Sequence, residues 1–196
     1  MRPVKLLGLL AALTIALGMV AVQPAVAPAA NKVEAVTSAQ AAIANLAYAN
    51  LNKGPCSTNS LGGTFFAPDG AMSCISGVPI GSLWCGIFAG WVWNLSGHVY
   101  AGGLGHTPDD FARYGTGRRA AANIPPLVGD VVIFASGSTL SHVAIVYSID
   151  TTNHTVWTIA GNEGGTPGYV RWRSLNYTTL TSSPYSAYEY VTPRTH

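Results

Sequence analysis

Three side chains in this sequence are of types that together could break an amide bond. Cys85 stands at the mouth of the apolar run 82-SLWCGIFAGWVW-93, whose pattern predicts a helix from about Cys85 to Leu95. A thiol at that end meets the positive pole of the helix dipole and unpaired backbone N–H groups, which lower its pKa from about 8.5 toward neutrality. The same N–H groups suit the oxyanion formed when a carbonyl is attacked. The competing role is a small buried hydrophobe, the common fate of a free cysteine. His142 opens the strand 142-HVAIVYSI-149, in which His142, Ala144, Val146 and Ser148 alternate with Val143, Ile145, Tyr147 and Ile149. An imidazole there serves as base to the cysteine if folding brings the two together; a half-buried histidine satisfied by backbone is the alternative. Asn162 follows the strand 155-TVWTIA-160, which should pair with the histidine strand. Its carboxamide oxygen, accepting from Nδ1–H, would fix the tautomer and aim Nε2 at sulfur. A plain turn residue is the other reading. Glu163, next in the chain, could serve instead, but as a turn neighbour it is expected to point away.

The elements that must position these groups are legible in outline. Thr37-Ser38-Ala39-Gln40 reads as a capping box, and Ile43, Leu46, Ala47 and Leu51 follow with helical spacing until Gly54-Pro55. Gly86 and Gly90 in the second helix each cost about 1 kcal/mol against Ala, which points to a closely packed backbone. A third, short helix opens at 107-TPDDF-111, with Thr at the N-cap, Pro at N1 and two acids facing the dipole, and closes at Gly115. From residue 127 the pattern turns to strands: 131-VVIFA-135, the histidine strand, 155-TVWTIA-160, 169-YVRWRS-174 and 186-SAYEYV-191. Helices first and an antiparallel meander after them predict one α+β domain over 37–196, with about five to six strands.

The chain starts with Arg2 and Lys5, an apolar run 6-LLGLLAALTIALGMVAV-22 and the small residues 24-PAVAPAA-30. That layout predicts a secretory signal peptide over 1–29 and a linker over 30–36, with cleavage near Ala29 or Ala30 and no membrane span afterwards; an uncleaved membrane anchor is the alternative, since the run is about as long as the shortest spanning helices. Removing Arg2 and Lys5 leaves eight Lys/Arg against eight Asp/Glu, a near-neutral secreted chain with no basic cluster beyond Arg118-Arg119. This argues against a nucleic-acid partner. In an oxidising compartment the three cysteines allow three pairings. Cys56–Cys74 is preferred, because the loop 57-STNSLGGTFFAPDGAMS-73 lacks secondary-structure pattern and closing it is worth about 3 kcal/mol. His98, His106, Asp109 and Asp110 could be drawn as a metal site, but helix-cap and loop roles explain them better. No metal or other cofactor is expected.

The segments 84-WCGIFAGWVWNLSG-97, 129-GDVVIF-134, 141-SHVAIVYSID-150 and 156-VWTIAGN-162 resemble, in order, the CHAP family of cysteine, histidine-dependent amidohydrolases/peptidases. The resemblance spans roughly Thr37 to Arg173. It implies a papain-like α+β fold and cleavage of amide bonds in peptidoglycan, at the sugar–peptide junction or within the peptides. Carried onto this chain, it makes Cys85 the nucleophile, His142 the base and Asn162 the orienting residue. Because sugars and peptides stack on aromatics, Trp84, Tyr147 and Trp157 are candidates to line a substrate groove, with core packing the commoner role for such residues. Some members carry a glutamate two residues before the Asn; here that position is Ala160, which would weaken the imidazolium. The implied protein is a secreted, monomeric hydrolase associated with the cell wall. A catalytically weak module that binds wall fragments or a protein, and an acyl transferase, are the competing classes.

Overall fold

A computed structural model of the chain describes residues 37–65, 84–97, 107–165 and 168–194. The expected leader 1–29, the linker 30–36, Cys74, His98 and His106 lie outside these residues. Helix α1 (Ser38–Tyr48) starts as its sequence requires. The Thr37 hydroxyl accepts from the Gln40 N–H at 3.3 Å, and the Gln40 carboxamide accepts from the Thr37 N–H at 2.9 Å. Its buried face is Ala39, Ile43, Ala44 and Ala47. The helix stops at Tyr48, short of Gly54, and the following turns run into the sheet, where Asn52 N–H donates to the Val170 carbonyl at 2.8 Å. Helix α2 (Cys85–Leu95) begins at Cys85. It is apolar nearly all round, and a helix of that kind must be covered on several sides. Helix α3 (Pro108–Tyr114) has the expected Pro at its start, and Asp110 completes a capping box with Thr107.

Seven strands follow: β1 (Gly115–Arg119), β2 (Val131–Ser136), β3 (Thr139–Asp150), β4 (Thr155–Glu163), β5 (Tyr169–Asn176), β6 (Thr181–Ser182) and β7 (Tyr185–Pro193). Their order is β1-β7-β2-β3-β4-β5-β6, antiparallel throughout, and β6 also pairs with β7. The α+β class is as expected, but the sheet has seven strands rather than five or six and closes on itself through the β6–β7 pairing. Sequence pattern missed β1 because GTGRR has no apolar alternation; pairing with β7 holds it in place. It missed β6 because two residues carry no period.

Closure separates two cores. Between the helices and the outer face of the sheet lie Ile43, Phe65, Trp84, Phe88, Val92, Trp93, Phe111, Val143, Ile145 and Ile159. Enclosed by the sheet lie Val132, Phe134, Ala144, Val146, Ile149, Val156, Ala160, Leu175 and Tyr190. Ile149 belongs to the enclosed set with Ala144 and Val146, against the simple alternation. A bulge between Val146 and Ser148 inserts one residue, and a one-residue slip moves all later side chains to the other face. The Gly129-Asp130 turn ties helices to sheet. Trp93 Nε1–H donates to the Gly129 carbonyl at 3.2 Å. The fully buried Asp130 carboxylate accepts from Leu127 N–H at 2.8 Å and from Arg118 at 2.9 Å.

Candidate active site

The start of α2 is pressed against the sheet where β4 offers a glycine. A Cβ on Gly161 would stand 2.5 Å from a Trp84 ring carbon and 2.8 Å from the Phe88 Cβ. Only a residue without a side chain lets these two aromatics seat against the strand, and their seating brings Cys85 to the start of β3. There the thiol and the His142 side chain are near enough for each to shift the other's ionisation. Cys85 and His142 are each 3% exposed, and Cys85 is a free thiol. The expected bridge from Cys56 involves Cys74, outside the described residues.

The second neighbour of the imidazole differs from the expected one. Nε2 of His142 lies 2.9 Å from Oε1 of Glu163, which leaves Nδ1 as the ring nitrogen for the thiol. Glu163 therefore does not point away; it takes the position that alternation assigns to Asn162. The reason is a bulge in β4. Ala160 pairs with Arg171 and Glu163 with Tyr169, so Gly161 and Asn162 together oppose the single residue Val170. The extra residue shifts the alternation by one and turns Glu163 to the face of His142. Asn162 makes this possible with its backbone: its φ is +62°, a left-handed conformation that Asn adopts more readily than other non-glycine residues. Ala160 is buried in the enclosed core, and Glu163, three residues on, supplies the carboxylate that Ala160 lacks.

Glu163 is itself held. Arg173 on β5 donates through Nε to Oε1 at 3.0 Å and through Nη2 to Oε2, and its Nη1 donates to the Ser183 carbonyl between β6 and β7. Tyr185, which starts β7, stacks on the imidazole with ring centroids 5.2 Å apart and planes 14° apart. Sequence reading ranked Glu163 behind Asn162 and missed Arg173 and Tyr185. One signal was present: Glu163 is the only carboxylate between residues 151 and 188, and the strand segment that follows carries Arg171 and Arg173 two residues apart.

The electrostatics follow from these contacts. Burial disfavours the Cys85 thiolate, but the hydrogen bond and charge of His142, with backbone hydrogen bonds from Val143 and Gly86, outweigh it and lower the thiol below 9.0. Burial likewise disfavours the imidazolium, yet hydrogen bonds and charge from Cys85 and Glu163 raise His142 from 6.5 to about 9. Burial pushes Glu163 up, while His142 and Arg173 pull it down to about 2. The arrangement favours a thiolate–imidazolium pair backed by a permanently charged carboxylate.

The three aromatics expected to line a groove are placed elsewhere. Trp84 is 1% exposed and packs on Phe65 and Phe88, so it is core. Tyr147 and Trp157 line a recess on the outer face with Tyr48, Leu51, Ile159 and Trp172. Tyr147 stacks on Tyr48 and Trp157 packs edge-on against Trp172. Tyr147 lies five residues along β3 from His142, roughly 16 Å at the usual strand rise. Asp109 and Asp110 sit in the first turn of α3, and among the described residues no group of three His, Cys, Asp or Glu could hold a metal. Nor is any helix among them long and apolar enough to cross a membrane.

A free cysteine at a helix start, electrostatically coupled to a histidine on an antiparallel sheet, defines a cysteine–histidine site in an α+β domain. Residues 77–162 match the family model described as "CHAP domain", which bears out the resemblance to that family of cysteine/histidine-dependent hydrolases. The matched segment holds Cys85, His142 and Asn162 and ends one residue before Glu163. No curated protein matches the chain. Among solved structures, "The crystal structure of Ly7917" is similar at 17% identity with a TM-score of 0.37, over 80% of this chain and 63% of that one.

Proposed function

We propose that this protein is a secreted cysteine hydrolase that cleaves an amide bond of peptidoglycan, as an N-acetylmuramoyl-L-alanine amidase or an endopeptidase. The observation that supports it most is the buried, free Cys85 thiol at a helix start, electrostatically coupled to an imidazole whose Nε2 meets a carboxylate. In the reaction, His142 takes the thiol proton and the sulfur attacks the amide carbon. The N–H of Cys85 and a neighbour at the start of α2 hold the oxyanion. His142 returns its proton to the leaving nitrogen, the C–N bond breaks, and a thioester remains. Water then gives a proton to His142 and adds to the thioester, and collapse frees the acid and restores the thiol. Glu163 stabilises the imidazolium in both halves, so the absence of an acid at Ala160 is no ground for a weak enzyme. The substrate class comes from the family match; the leader over 1–29 supports secretion, and Cys56–Cys74 is the proposed bridge of the mature, monomeric protein.

Digestion of purified peptidoglycan of known composition tests the proposal. New amine and carboxyl ends identified by mass spectrometry are expected with the native chain and absent with Cys85→Ala. Reaction also requires access, since the thiol is only 3% exposed. Iodoacetamide should therefore alkylate Cys85 in the folded protein. Intact peptidoglycan together with an unreactive thiol removes the enzymatic reading.

A further inference from the structure

The residues around His142 converge at one end of the closed sheet. Phe134 is near the end of β2, His142 near the start of β3, Glu163 at the end of β4, and Tyr185 at the start of β7. Arg173 reaches across this mouth from β5. Its guanidinium takes both oxygens of Glu163 and the Ser183 carbonyl, and it lies 5.5 Å from the centre of the Tyr185 ring. Four of the guanidinium's possible uses are thereby spent on groups that surround one imidazole. A carboxylate on a bulged strand end, followed by Gly164 and Gly165, has little else among the described contacts to fix its direction.

We propose that Arg173 is a positioning residue of the Cys85–His142 site: it clamps Glu163 at two points so that Oε1 stays on Nε2 of His142, and it ties down the β6–β7 connection that lays Tyr185 on the imidazole. A planar guanidinium suits this because it meets a carboxylate through two parallel N–H groups, which an ammonium does not. The inference rests on Cys85 and His142 being the reacting pair, but it needs no particular substrate. The groups that face the imidazole among the described residues are Cys85 from α2, Glu163 from β4 and the rings of Phe134 and Tyr185, with Arg173 behind Glu163.

The test is the titration of the His142 ring, followed by NMR on the full chain labelled in histidine. Two effects have opposite signs. Removing a nearby cation acts by charge alone to raise an imidazolium pKa. Removing a clamp lets Glu163 leave and lowers it. In Arg173→Met the midpoint is expected to fall from about 9 by roughly one unit or more, with kcat down about 10-fold and KM little changed. Arg173→Lys, which keeps a cation without the two-point grip, should lie between. In a Glu163→Gln background, Arg173→Met should lower the midpoint no further. A midpoint in Arg173→Met that stays or rises overturns the proposal, as does a further drop in the Glu163→Gln background. If Arg173→Met fails to fold, Arg173→Lys decides, because an unchanged midpoint there shows that the grip is irrelevant. A chain that leaves peptidoglycan intact while showing the Arg173-dependent shift refutes the proposed function and leaves this inference standing.

Discussion

Asn162 separates two accounts of the site. In one, its carboxamide orients the imidazole; in the other, its backbone makes the bulge that lets Glu163 do so. Asn162→Gly removes the carboxamide and keeps the conformation, since φ of +62° is as easy for Gly as any other. Added chain freedom costs about 0.5–1 kcal/mol in the unfolded state, and no new contact is made. Asn162→Ala removes the carboxamide and also opposes the conformation, at about 1–2 kcal/mol for a left-handed residue with a Cβ. The chain can relieve that strain by losing the bulge, which turns Glu163 to the outer face, away from His142. The glycine variant is therefore expected to keep a His142 midpoint near 9 and kcat within about threefold of native. The alanine variant should lower both and lose about 1–2 kcal/mol in denaturant unfolding. Loss of the imidazole's orienting group in comparable sites costs several orders of magnitude in rate. A glycine variant that falls as far as the alanine variant refutes the bulge account and restores the carboxamide.

Other consequences follow from the same contacts. Glu163→Gln should lower the His142 midpoint from about 9 by roughly one to two units, read by NMR, because hydrogen bonding and charge from Glu163 are among its main supports after those of Cys85. Glu163 also links folding to acid. Its pKa in the fold is about 2 against an ordinary 4.5, so the stability it contributes is complete above 4.5 and lost as pH falls through 2. That contribution is of order 3 kcal/mol, and thermal unfolding between pH 5 and pH 2 should fall less steeply in Glu163→Gln than in the native chain. Gly161→Ala should cost about 1–3 kcal/mol by overpacking Trp84 and Phe88, and should slow Cys85 alkylation because the start of α2 shifts.

The sequence made some parts of this molecule plain and hid others, and the division has a physical cause. Helix starts are local events: Thr37 with Gln40, and Thr107 with Pro108 and Asp110, satisfy their own backbone groups within four residues. The apolar strands β2, β3, β4, β5 and β7 declared themselves by composition and alternation. Closure of the sheet was invisible, because it depends on the pairing of the two-residue β6 with β5 and β7. Trp84 read as a groove residue because its type fits one; its burial depends on Gly161, distant in the chain.

The bulges explain the most consequential difference. A strand read with period two assigns every side chain to a face, and one inserted residue reverses all that follow. Asn162 and Glu163 stand on either side of such a reversal, so their types were correctly seen as site chemistry while their roles were exchanged. The exchange has a chemical effect. A carboxamide fixes an imidazole by hydrogen bonding alone, whereas a carboxylate adds charge and favours the imidazolium. An extra negative charge so near the thiolate carries its own hazard, since it also opposes ionisation of Cys85. Arg173 answers that problem. It neutralises Glu163, and its own pKa is raised first of all by its hydrogen bond to Glu163. Charges then alternate from Cys85 through His142 and Glu163 to Arg173, each stabilised by the next, and the row sums to zero at the closed end of the sheet.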